Sequence, residues 1–139
     1  MARYEGDPER YQSPNDLPAL PFDLDQIAIQ SEGSSQIDQV TVPQVTSNQN
    51  DYPVPSSGVI LFSTDASRNF TGFAGARPGL TVFCNVGTQD GVIVNNSGSS
   101  AAANRVLCHT GANITLNAGE SAILIYDYSS SRWRTVGFV

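Results

Sequence analysis

Lysine is absent from the 139 residues, histidine occurs once and cysteine twice. Without lysine there is no Schiff base and no catalytic amine. A single imidazole, His109, leaves little for general acid–base chemistry. Charge is scarce as well: 14% of residues are charged, all seven basic residues are arginine, and the net charge is −6. Binding phosphates needs clustered Lys and Arg, so a nucleic-acid partner is not expected. No apolar run approaches the about 18 residues that a membrane-spanning helix needs, so no membrane partner is expected. The opening "MARYEGDPERYQSPNDLP" has no apolar h-region, so no signal peptide is expected and the chain is read as made in a cytosol.

Two thiols and one imidazole are too few for a zinc site at the usual spacings, and neither Cys84 nor Cys108 belongs to a CxxC. The reading is two thiols packed as small hydrophobes, with a cross-strand disulfide as the alternative. No cofactor or metal is expected.

What is present divides near position 55. Residues 1–55 hold nine acids and two arginines, and seven of the eight prolines. Residues 56–139 hold four acids and five arginines. Proline removes donors and biases the preceding residue toward extended backbone, which disfavours helix in the first part. That part still carries apolar residues in an extended, proline-punctuated run: Leu17, Leu20, Phe22, Leu24, Ile27 and Ile29, then Val40 and Val42 in "IDQVTVPQV". A linker has no need of them. The expectation is an extended N-terminal arm over 1–55 that docks these side chains on a partner.

Residues 56–139 read as strands of four to seven residues, as in "GVILFST", "GLTVFCNVG" and "GVIVNNSG", broken by Gly, Asn and Ser turns. The expected fold is all-β: a small antiparallel β-sandwich, jelly-roll-like, behind the arm. A domain of this size buries only about 60% of its unfolded surface, so oligomerisation is the expected supplement.

Candidate sites are few. Trp133 lies between Arg132 and Arg134, so on a strand it faces away from both; a core position is favoured, with a sugar-stacking platform beside Tyr126 or Tyr128 as the alternative. Cys108 and His109 are adjacent and point apart on a strand, which argues against a thiol–imidazole pair. "GFAGARPG" has the glycines of a phosphate loop without a following helix, so its glycines are read as turn formers. Asp65, Asp90 and Asp127 are read as Asx-turn residues, not calcium ligands. Arg68, Arg77 and Arg105 are candidates for charge pairing between subunits, with solvated surface arginine as the alternative. No nucleophile–base pair is visible, and an enzyme is not expected.

The run "ITLNAGESAILIYDYSSSRWRTV", preceded by "SSAAANRVLCHTGAN", resembles a β domain recurrent in structural proteins of tailed bacteriophages. The resemblance covers residues 57 to 139 and carries no catalytic residues. It implies a trimer-forming module of capsid-surface or tail-fibre proteins. The expected function is capsid decoration: a cement protein bound to the major capsid protein as a homotrimer on the outer capsid surface, assembled in the host cytoplasm. A short tail-fibre, baseplate or head-fibre component that binds host glycan is the alternative.

Overall fold

The computed structural model describes residues 38–138. Leu17, Leu20, Phe22, Leu24, Ile27 and Ile29 of the expected arm lie outside the described residues. Among the described residues eleven short strands run in chain order: β1 (Gln39–Thr41), β2 (Tyr52–Pro53), β3 (Val59–Phe62), β4 (Arg68–Phe70), β5 (Phe73–Ala74), β6 (Leu80–Asn85), β7 (Gly91–Ile93), β8 (Val106–Leu107), β9 (Ile114–Leu116), β10 (Ser121–Asp127) and β11 (Arg132–Phe138).

The all-β expectation is met, but the sandwich is not: the strands wind into a β-solenoid of about four turns. The pairing decides this. Strands β1, β3 and β6 lie side by side and parallel, as do β2 with β5 and β4 with β7. Val40 pairs with Ile60 and Ile60 with Phe83, intervals of 20 and 23 residues. Tyr52 pairs with Phe73 at an interval of 21, and Phe70 with Ile93 at 23. A sandwich built from hairpins needs antiparallel neighbours close in sequence. Here the partner of a strand is one whole coil away: three successive coils add β1, β3 and β6 to one sheet, the first two add β2 and β5 to another, and the second and third add β4 and β7 to a third.

The last coil reverses direction. Strand β9 runs antiparallel to β7, β10 runs antiparallel to β6, and the β10–β11 hairpin then folds back until β11 lies parallel to β8. The largest sheet therefore has the order β1-β3-β6-β10-β11-β8.

Residues 38–55, counted with the arm on composition, form the first coil. Val45 is buried, and Val40, Val42, Tyr52 and Val54 pack partly buried against the core. Pro53 fits in a strand because the donors that reach the second coil come from its neighbours: Tyr52 N–H donates to Gly72 O at 2.8 Å and Val54 N–H to Ala74 O at 3.0 Å.

The interior is a column of aromatic rings contributed by successive coils. Phe62 and Phe83 stack with centroids 4.2 Å apart, and Phe70 and Phe73 meet Phe83 edge-on at 5.1 and 5.2 Å. Trp133 closes the far end, fully buried, edge-on to Phe73 at 6.0 Å, its indole N–H donating to Phe73 O at 2.8 Å. The rings leave little slack. A Cβ on Gly91 would lie 2.6 Å from Cε2 of Phe62, so only glycine lets β7 pass that ring.

Polar residues inside are spent on coil corners. Asn85, fully buried, donates from Nδ2 to Gln89 O at 2.7 Å and Leu116 O at 2.9 Å, and its Oδ1 accepts from Gly87 N–H at 2.9 Å. One side chain thus fastens the end of β6 to the reversed coil. Deleting it strands the buried Leu116 carbonyl, which costs about 1–3 kcal/mol.

Two substitutions test this packing. Gly91→Ala should lower stability by about 1–3 kcal/mol through overpacking, whereas Gly98→Ala, where an added Cβ meets nothing within 4 Å, should be close to neutral. Asn85→Ala should cost a similar amount to Gly91→Ala. Urea unfolding of the three variants checks both statements; equal midpoints for Gly91→Ala and Gly98→Ala would contradict the ring packing.

Candidate docking surface

Among the described residues, the outward side of the large sheet gathers apolar side chains. In β6 the inward residues are Thr81, Phe83 and Asn85, while Leu80, Val82 and Cys84 alternate outward. In β3, Val59 and Leu61 face out, and in β10, Ser121, Ile123 and Ile125 do. Register brings them into rows: Val59 beside Val82 beside Ile123, Leu61 beside Cys84 beside Ser121, and Leu80 beside Ile125. On β3, β6 and β10 the sheet thus carries apolar residues on both faces, a pattern of sheets covered on both sides, whereas β1 presents Gln39 and Thr41 and β11 presents Arg132 and Arg134 outward. Val136 extends the patch at the bulge in β11, between Thr135, which pairs with Leu124, and Gly137, which pairs with Ile123. Leu80 and Val136 are 63% and 53% exposed, and the others are half-buried.

Charge is confined to one end of this face. Asp127, Arg132 and Arg134 sit at the β10–β11 turn. Arg134 Nε donates to Asp127 Oδ2 at 2.7 Å, and Arg132 Nη1 turns back to Ser131 O at 2.9 Å. Asp127 also accepts from Ser129 Oγ at 2.6 Å, Ser129 N–H at 2.9 Å and Ser130 Oγ at 2.9 Å. These donors, Ser129 first and then Arg134, hold its carboxyl well below the usual carboxylate range. The Asx-turn reading of Asp127 is what the hairpin shows.

The three arginines singled out for charge pairing are each engaged within the chain. Arg68 grips Asp65 with two bonds of 2.8 and 3.0 Å, lowering the Asp65 pKa. Arg77 donates to Pro55 O at 2.6 Å, to Ser57 O and to Thr81 Oγ1 at 3.2 Å, which ties the link between the first two coils to β6. Arg105 donates from Nε to Ser100 O at 3.0 Å, beside a network in which Ser100 Oγ meets Thr71 Oγ1 at 2.7 Å and accepts from Asp51 N–H at 3.0 Å.

The Cys108–His109 pair is not brought together. Cys108 is buried against Ile93 O, and burial pushes its thiol up to about 11, so the thiolate needed for attack is absent at neutral pH. His109 Nδ1 lies 2.7 Å from Thr135 Oγ1, on the next strand. Cys84 and Cys108 are free thiols. Among the described residues no three His, Cys, Asp or Glu side chains gather as metal ligands, and no helix is long and apolar enough to cross a membrane. Trp133 lies in the core, so its ring offers no sugar platform; Tyr128 is 60% exposed and meets Tyr126 edge-on at 4.9 Å.

The sequence reading overlooked the outward apolar face. Its signal was "LTVFCN", where the unbroken run Val82-Phe83-Cys84 puts apolar side chains on both sides of the strand while the polar Thr81 and Asn85 point inward.

Comparison with protein-family models, with curated proteins and with solved structures finds no match.

The turn carries a pH prediction. The folded pKa of Asp127 is depressed, so its contribution to stability is present above the unfolded value, about 3.9, and is lost as pH falls through the folded one. Asp127→Asn should therefore melt at lower temperature than the parent at pH 7, and the two should converge as pH falls below about 4. Melting curves across that range check it; a difference that persists unchanged at low pH would contradict the carboxylate's role.

Proposed function

We propose that this chain is a structural protein of a tailed-phage virion, a decoration (cement) protein that sits on the outer capsid surface as a homotrimer. The observation that carries the reading is the apolar outward face of the large sheet, built on a solenoid whose coils lock one another in register. Such a body is suited to holding surfaces in place. Among the described residues, Cys108 is packed in the core with its thiol pushed up by burial, and Asp127 and Asp65 are bound to serines and arginines. The resemblance of residues 57 to 139 to phage structural domains points the same way.

In this reading the apolar residues of the N-terminal stretch, Leu20 and Phe22 among them, dock on the major capsid protein. Each Å² of apolar contact contributes about 25 cal/mol. Three such segments on one trimer bind with high effective concentration, so that weak individual contacts hold the shell firmly. A second reading, a fibre component that binds host glycan, is favoured by one feature, the exposed Tyr128 beside Tyr126.

Pelleting with empty capsids of the phage that carries this gene tests the proposal. The parent chain should co-sediment, and Leu20→Asp with Phe22→Asp should reduce the bound fraction at least tenfold without changing the circular dichroism. Parent protein left in the supernatant would overturn capsid binding, and a double variant that pellets like the parent would overturn the role of the N-terminal residues. Glycan-array binding lost in Tyr128→Ala would support the second reading instead.

A further inference from the structure

We infer that the loop 97–104, between β7 and β8, is a strap that holds the first coil shut through Asp51, and that acid releases it.

The winding creates the need for a strap. In a stack of coils each coil leans chiefly on its neighbours, so an end coil opens more easily than a middle one. Among the described residues the first coil has a neighbouring coil on one side. Its strands are short, three residues in β1 and two in β2. Asn48 and Asn50 reach only the second coil: Asn48 Oδ1 accepts from Asn69 N–H at 3.0 Å, and Asn50 Oδ1 from Thr71 Oγ1 at 2.6 Å. Asp51 skips that coil. Its N–H donates to Ser100 Oγ at 3.0 Å, and its Oδ1 accepts from Ala101 N–H and Asn104 Nδ2, both at 2.9 Å. The backbone of Asp51 takes φ 54°, a left-handed conformation uncommon for a residue with a side chain. In it both the N–H and the carboxylate reach the loop.

Polar contacts hold the loop itself. No residue of its short helical turn, Ala102–Asn104, is buried, and Ala101, Ala102 and Ala103 are exposed. Apolar burial therefore contributes little there. Ser100 Oγ meets Thr71 Oγ1 at 2.7 Å, Arg105 Nε donates to Ser100 O at 3.0 Å, and the Tyr126 hydroxyl donates to Ala103 O at 2.9 Å. The loop also lies flush on the second coil, since a Cβ on Gly72 would sit 2.5 Å from Asn104 O and 2.6 Å from Ser100 Cβ. It is thus fixed to the second coil and to the β10–β11 hairpin, and Asp51 is its grip on the first.

The grip is charged, which makes it sensitive to acid. Asn104 first, then Ala101, hold the Asp51 carboxyl below its ordinary value. The other titratable groups of the joined segments are Asp38 and Tyr52 on the first coil and Arg105 and Tyr126 at the anchors of the loop; Asp51 bonds to none of them. Thr71 and Gly72, the corner beneath, do not titrate. The folded value is the depressed one, so the grip is complete above the unfolded value of about 3.9 and is lost as pH falls through the folded one.

Native-state amide exchange of the full chain, read by nuclear magnetic resonance and corrected for the intrinsic rate at each pH, measures the opening. The amides of Val42, Val45, Gln49, Tyr52 and Val54 donate from the first coil to the second, while those of Val82, Val86 and Val94 join the second to the third. At pH 7, Asp51→Gly, which suits the left-handed φ, should speed exchange of the first set at least tenfold and leave the second within about threefold. Asn104→Ala, which alters no residue of the first coil, should speed the first set at least threefold. In the parent the ratio between the sets should rise as pH falls below about 4, and by several-fold more than in Asp51→Asn, which keeps an acceptor without a charge. Both sets accelerating by one factor would overturn the strap, because Asp51 would then support the body as a whole. So would a first set unmoved by Asn104→Ala. An identical pH response in the parent and Asp51→Asn would overturn release by acid.

Discussion

Everything in this structure depends on one constraint: each coil must place its inward side chain directly over that of the coil before. Val40, Ile60, Phe83 and Ala122 form one such row across four strands of the large sheet. Phe70, Ile93 and Ile114 form another across the middle sheet. Misplacing one row by a residue would turn a core ring outward, because side chains alternate along a strand. The stacked pair Phe62–Phe83 and the glycine that lets β7 pass Phe62 make that error costly. Strands of two to four residues are far too short to hold together alone. They persist because the aromatic column is continuous through them.

The same constraint explains where polar residues went. A solenoid has corners at every coil, and corners leave backbone groups that need partners. Asn85, Thr81, Thr71 and Ser100 are buried to meet them, and Arg77 spans the link between the first two coils. Arg68, Arg77 and Arg105, candidates for charge pairing between subunits, make hydrogen bonds within the chain. Once corners consume the polar groups of β6, its apolar residues are left to face outward. The apolar outward face is in this sense a by-product of how the corners are satisfied.

Much of the local structure was legible. "GVILFST", "GLTVFCNVG" and "GVIVNNSG" contain β3, β6 and β7, and the closing "ESAILIYDYSSSRWRTVGFV" contains the β10–β11 hairpin with its Asp127 turn. Trp133 was legible as a core residue from its flanking arginines. The winding was not. A strand's lateral partner lies 20 to 23 residues away, and what repeats is inward bulk, Val then Ile then Phe, with no recurring string of letters. Regular short strands with turns between them fit hairpins equally well, so the antiparallel sandwich was the natural misreading. The first coil was hidden by its composition: Pro43 and Pro53 and the polar run from Gln44 to Asp51 look like a linker, yet a coil's edge needs donors only at alternate positions.

The in-register stacking of coils supports the fold, the outward face and the assembly reading together, and backbone nuclear Overhauser contacts between β3 and β6 test it most directly. The account predicts a parallel pattern with Ile60 set against Phe83 and Val59 against Val82. An antiparallel pattern joining β3 to a strand next to it in sequence would contradict it.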